Sequence, residues 1–153
     1  MAGRWAVSLD TFLSPNEQSF YYATPTVNFN ICENSSVGLG YMSFMENNET
    51  DTYWSAKYTY YWGRESFKPH ATLGYLARTM DDKPDQVLTE YAITYLRFGS
   101  CYDISDDLSL EFDVFSLEVD NNVTVKPVAD RGNDYTNAFY FSFLPSFNLR
   151  YTF

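Results

Sequence analysis

No stretch of this 153-residue chain approaches the ~18–20 consecutive apolar residues that a membrane helix needs, and mean hydropathy is only −0.35. Membrane-spanning helices are thereby excluded. A membrane barrel is not, because half of each of its strands faces a polar lumen. Bases are scarce, 10 against 20 acids, for a net charge of −10. Nucleic acid is therefore excluded as a partner, since phosphate binding asks for a basic surface. Cysteine is limited to Cys32 and Cys101, too few for a disulfide framework. No domain boundary, repeat array or low-complexity tract is visible, so the chain reads as one domain, 1–153. A signal peptide is also missing. The chain opens Met1-Ala2-Gly3-Arg4 and enters a strand pattern at once, as expected of a mature secreted chain given a start methionine.

What the chain does have is aromatic rings, at 20% of its residues, with 14 Tyr and 13 Phe. They fall in alternation. Reading back from the end, Phe153, Tyr151, Leu149, Phe147, Pro145, Phe143, Phe141 and Phe139 occupy every second position. The intervening set, from Thr152 and Arg150 to Tyr140, is mostly polar. A period of two held this long is a strand with one oily face and one wet face. It is too long for an ordinary soluble sheet, where about five or six residues is usual. It suits a tilted strand crossing a bilayer, which needs about 9–11 residues in hydrocarbon.

The ending Phe147-Asn148-Leu149-Arg150-Tyr151-Thr152-Phe153 resembles the C-terminal signal of bacterial outer-membrane β-barrels. That resemblance implies a location in the outer membrane. It also implies that the barrel assembly machinery reads Leu149, Tyr151 and Phe153.

Seven further segments carry the same period: 4–13, 20–32, 37–45, 52–62, 68–79, 89–101 and 108–119. With 139–153 they predict an all-β fold, a closed eight-stranded antiparallel up-and-down transmembrane β-barrel. Its architecture resembles the small OmpA and OmpX type barrels. The links after strands two, four and six are short. Those after one, three, five and seven are mostly longer and acidic, notably 46–51, 81–85 and 120–136. Pro25 cannot donate to a ladder, which predicts a bulge or local edge there.

Alternation alone does not say which face lies inside, since a soluble lipocalin-like barrel has the same strand count. Charge and bulk decide. One face carries Asp10, Lys57, Arg78, Glu111, Asp113 and Arg150, three of each sign, which could neutralise one another in a closed lumen. His70 and Arg97 join that face. A lipid-facing arginine at mid-depth would cost about 2–4 kcal/mol, so Arg97 is placed inward. Phe115 is placed inward by the same parity. The opposite face carries Trp5, Tyr21, Trp54, Tyr60, Trp62, Phe147 and Tyr151, suited to aromatic girdles at the membrane interfaces. An eight-stranded interior could not hold so many rings.

Each candidate for chemistry has a plainer reading. The lumen charges read as a salt-bridged plug rather than an ion path. His70 lacks the motif of a lipid-modifying barrel enzyme. The acid groups 81–85 and 130–134 contain bases and lack EF-hand spacing, so no metal or other cofactor is implied. Cys32 and Cys101 fall on opposite sides of the barrel and are expected to stay unbonded. Sequons at Asn34, Asn48 and Asn122 read as accidents of an Asn-rich chain. The expected role is structural or surface-interacting, as a monomer with outer-membrane lipid as partner. A narrow pore or small-solute transporter and a lipid-modifying enzyme are the alternatives.

Overall fold

The computed structural model describes the backbone of residues 3–13, 21–46, 49–63, 65–82, 87–125, 133–142 and 146–153. Within them, side chains are described except at 12–13, 21–22, 44, 46, 49, 80–82, 87–91, 120–125 and 133–142. The elements are β1 (Trp5–Leu13), β2 (Tyr21–Cys32), β3 (Ser35–Glu46), β4 (Glu49–Tyr61), β5 (Phe67–Asp82), β6 (Val87–Asp103), β7 (Leu108–Val125), β8 (Asn133–Ser142) and β9 (Ser146–Thr152).

From β1 to β8 each strand pairs antiparallel with the next, and β9 pairs with both β7 and β1, which closes the ring. β8 pairs with the far half of β7 and β9 with its near half. The two are therefore one stave of an eight-stranded barrel, and the expected single strand 139–153 is divided at 143–145, outside the described residues.

The wall is inverted relative to a water-soluble barrel. Along β9 every residue alternates buried and exposed. Thr24, Asn28, Thr59 and Glu118 are each 1% exposed, whereas Leu39 is 69%, Met45 67% and Tyr41 64% exposed. Trp5, Val7, Leu9, Val27, Ile31, Leu73, Phe147, Leu149 and Tyr151 all point outward. Each such side chain gains about 1.5–3 kcal/mol on leaving water. An outer band built this way is stable only against an apolar medium, and the lipocalin-like reading fails.

Both described termini lie at one end, with the turns Glu33–Asn34 and 104–107 and the described residues 62–63 and 65–66 of the β4–β5 link. Backbone bonds lace this rim. The Gly3 N–H donates to the Asn30 carbonyl at 2.8 Å, Asp103 N–H to Ser66 at 2.7 Å, Thr152 N–H to Asp107 at 2.7 Å and Phe153 N–H to Trp5 at 2.9 Å.

At the other end the strands outrun the sequence pattern. β3 and β4 are separated only by residues 47–48, and β5, β6 and β7 run to 16, 17 and 18 residues. The described parts of the expected acidic links 46–51, 81–85 and 120–136 are therefore strand. Beyond the hydrocarbon both faces of a hairpin are wet, so alternation fades while the ladder continues. At Pro25 the β1 partner is Leu9 without a register shift, and the β2–β3 ladder begins only at Thr26, so proline marks a local edge.

Strand seven needs a correction. The β6–β7 register shifts between Phe98 and Gly99: Phe98 faces Phe115, but Gly99 faces Asp113, leaving Val114 as an extra residue. This bulge reverses the parity of all that follows. Phe115 leaves the lumen and stacks on Phe98, ring centroids 4.9 Å apart. Ser116 and Glu118 go in. Gly99 permits the bulge, because a Cβ there would lie 1.9 Å from the Phe112 carbonyl oxygen.

Candidate functional site in the barrel lumen

The inward faces of all eight staves converge on an axis filled with charge. From β1, Asp10 meets Lys57 of β4 at 2.7 Å. The Ser8 and Thr26 hydroxyls donate to the same carboxylate at 2.8 and 2.9 Å. Lys57 reaches across because Gly38, its opposite residue on β3, has no side chain. A Cβ at Gly38 would sit 3.0 Å from Lys57 Cε and 2.4 Å from Asn28 Oδ1.

A second cluster forms where β5, β6, β7 and β9 face one another. Asp113 binds His70 Nε2 at 2.9 Å through one oxygen. Its other oxygen accepts from the Ser146 hydroxyl at 2.6 Å and lies 3.8 Å from Arg97. Arg97 also lies 3.7 Å from Glu118 and sits over the Tyr95 ring at 4.5 Å. The void left between these two clusters is about 20 Å³, lined by Asp10, Lys57, Tyr95, Arg97 and Asp113 among others. That is room for about one water.

Nearer the termini, Arg150 donates to Tyr61 Oη at 2.6 Å, to Ser36 at 3.3 Å, to Glu111 Oε1 at 3.3 Å and to Asn30 Oδ1. The Tyr61 hydroxyl donates to Glu111 Oε1 in turn. Glu111 is 3% and Arg150 6% exposed. A pocket of about 290 Å³ opens beyond this group toward the rim, with Cys32, Lys68, Cys101 and Asp103 on its walls. Toward the opposite end, Arg78 pairs with Asp51 at 3.0 Å. Tyr53, Leu76, Ile93 and Tyr95 form an apolar cluster inside the wall.

Every expected lumen residue thus faces inward: Asp10, Lys57, His70, Arg78, Arg97, Glu111, Asp113 and Arg150. The sequence reading missed Glu118, hidden by the bulge, and Asp51, which was assigned to a link. Among the expected interface aromatics, Trp5, Trp54, Tyr60, Trp62, Phe147 and Tyr151 are exposed on the outer wall. The Tyr21 side chain lies outside the described residues.

Among the described residues, the Ser146 hydroxyl and the His70 imidazole meet only through Asp113, and no hydroxyl is bonded to the ring as an activated nucleophile would be. Among the described residues no three His, Cys, Asp or Glu side chains converge on a metal position. The acid groups at 81–85 and 130–134 fall outside the described side chains. Cys32 and Cys101 are free thiols, the first exposed and the second buried, and they line the same pocket. Asn34 uses its amide to donate to the Tyr61 carbonyl at 2.9 Å, a turn-building role.

No family model matches the sequence, and no curated protein matches it significantly. Among solved structures, the chain is similar to the crystal structure of the N-terminal β-barrel domain of Pseudomonas aeruginosa OprF. The TM-score is 0.62 at 8% sequence identity, over 99% of this chain and 98% of that one. The likeness is one of fold, an all-β closed ring of eight antiparallel strands.

Proposed function

We propose that this chain is a monomeric, non-enzymatic protein of the bacterial outer membrane. Its lumen is plugged by side chains, and its acid-rich hairpin ends project from the membrane in a structural or surface-interaction role. One observation carries the reading: the apolar side chains line the outside while Asp10, Lys57, Arg97, Glu111, Asp113, Glu118 and Arg150 are held within the ring. Lipid is the natural solvent for such a wall. Paired charge in a void the size of one water supports a plug rather than a channel. The assembly machinery is proposed as a second partner, acting through the exposed Leu149, Tyr151 and Phe153 of the closing strand.

The test is refolding from urea into detergent micelles, followed by gel electrophoresis with and without boiling. An intact barrel migrates differently from the boiled chain. A protein that folds as a compact monomer without any amphiphile overturns the proposal. Planar-bilayer recording separates plug from pore, because a resolved open state in the native protein selects the pore.

A further inference from the structure

The wall is not laced to one height all round. Two backbone bonds set its parity. The Asn30 N–H donates to the Arg4 carbonyl at 3.0 Å, and the Tyr61 N–H to the Asn34 carbonyl at 2.7 Å. Bonded and non-bonded rungs alternate in an antiparallel pair. Odd-numbered residues of β2 and β3 therefore bond to each other, while even-numbered ones bond to β1 and to β4 respectively.

Away from the termini, the β2–β3 ladder stops at Thr26 and Gly40. Yet β1 and β2 stay paired as far as Leu13 and Tyr21, and β3 and β4 as far as Glu46 and Glu49. The same register continued would oppose Pro25 to Tyr41, Ala23 to Ser43 and Tyr21 to Met45, and none of these rungs forms. Proline accounts for the first, since it has no N–H to give the Tyr41 carbonyl. On the other flank the β1–β9 ladder ends at Asp10 and Asn148. Beyond it side chains replace backbone. The Thr11 N–H donates to Asn148 Oδ1 at 3.1 Å, the Phe147 N–H donates to Thr11 Oγ1 at 3.0 Å, and that hydroxyl donates to the Phe147 carbonyl at 2.6 Å.

Among the described residues, 11–13 and 21–25 are thus laddered to each other and to neither neighbouring strand. Just below them Asp10 is fixed by Lys57, Ser8 and Thr26. A free pair of strand ends above a pinned rung is a hinge. It lies beside Tyr41 and Trp54, cross-strand partners that are 64% and 44% exposed, as aromatics at a membrane interface are. Unpaired N–H and C=O groups are costly in hydrocarbon, but at the interface water reaches them. On the lumen side stand Thr24, whose buried Oγ1 has no hydrogen-bond partner, and Met42, which packs on the Tyr53, Leu76, Ile93 and Tyr95 cluster.

We infer that residues 11–13 and 21–25 form a gate in the barrel wall. It swings away from β3 about Asp10 and Thr26, and it opens the lumen sideways above the Asp10–Lys57 bond. The gate is a property of the backbone pairing and does not depend on whether the lumen is plugged.

The test is amide hydrogen exchange of the ¹⁵N-labelled native protein, refolded in micelles. The Ala23, Ser43 and Met45 amides point across the slit. They should exchange about a hundredfold or more faster than those of Val27 and Leu39, which close the last bonded rung. The Thr24 and Met42 amides, turned to β1 and β4, should stay slow. That alternation is the signature of a gate that moves as a unit. Fast exchange at Thr24 and Met42 as well would mean fraying strand ends, and slow exchange at Ala23, Ser43 and Met45 a closed wall; either overturns the inference. Spin labels on Ala23→Cys and Ser43→Cys, in a Cys32→Ser, Cys101→Ala background, measure the swing. Their distance distribution should be broad, and it should narrow on Pro25→Ala, which returns the missing N–H. A distribution that is narrow with proline in place, or unchanged by alanine, overturns the gate. Should the labelled variants fail to refold, the exchange pattern decides, because it needs no substitution.

Discussion

The Lys57 ammonium lies 2.7 Å from the Asp10 carboxylate, although β2 and β3 stand between their strands in the wall. The bond therefore spans the lumen. It ties β1, at the closing seam, to the middle of the sheet. Both side chains are largely buried, at 6% and 19% exposure. Removing one partner strands the other charge, at a cost of about 3–5 kcal/mol. Lys57→Met and Asp10→Asn should each lower the urea midpoint of the micelle-refolded barrel. The double variant should lose clearly less than the sum of the two. Simple additivity in that cycle would show that the pair is not coupled.

Gly99 offers a sharper test of register. A methyl there would lie 1.9 Å from the Phe112 carbonyl oxygen and 2.7 Å from the Asp113 Cα, both backbone atoms that cannot swing aside. Gly99→Ala must shift the bulge, at about 1–3 kcal/mol if the strands merely part. If the bulge is instead lost, Glu118 turns outward and Phe115 inward. The urea midpoint reads the first outcome. Heat-modifiable migration reads the second, because a buried-face glutamate placed in lipid should abolish the folded band. An unchanged midpoint would remove Gly99 as the origin of the bulge.

That bulge also marks where the sequence stopped being legible. The strands, their closure into eight staves and the inward set from Asp10 to Arg150 follow from period-two patterning, because a side chain in the wrong medium is costly at every rung. Phe115 and Glu118 broke the rule, since one inserted residue, Val114, shifts parity without altering composition. Asp51 was lost for another reason. It lies where the hairpin is wet on both sides, so alternation no longer distinguishes strand from link, yet its ladder partner is Met80 and it reaches Arg78 at 3.0 Å. The pocket around Glu111 could not be read at all. It joins residues from β2 through β7 and from β9, and only the stagger of the closed ring places them at one height.

Leu39 separates lipid from water as the outer solvent. It is 69% exposed near the middle of β3, opposite Val27 and Ala56. In water, Leu39→Arg would be a surface change worth within about 0.5 kcal/mol. Facing hydrocarbon at mid-depth, it should cost about 2–4 kcal/mol. The measurement is the urea dependence of folding into lipid vesicles, compared with Asp106→Arg in the exposed β6–β7 turn. Asp106→Arg should leave the midpoint unmoved. Equal, negligible effects of both would mean that the band around Leu39 does not meet lipid.

Conductance tests the plug itself. Two long cations fill the middle of the lumen: Lys57, bound to Asp10, and Arg97, set among Asp113, Glu118 and Tyr95. Trimming both to alanine empties the space around a void that is otherwise about 20 Å³. It leaves Asp10, Asp113 and Glu118 without their cations. The native protein should be silent in a planar bilayer. The Lys57→Ala, Arg97→Ala variant, once shown to refold by heat-modifiable migration, should pass current. With carboxylates left to line the path, that current should be cation-selective, and the reversal potential under a salt gradient gives the sign. Conduction by the native protein would replace the plug with a pore. A silent variant would move the barrier to the apolar cluster of Tyr53, Leu76, Ile93 and Tyr95.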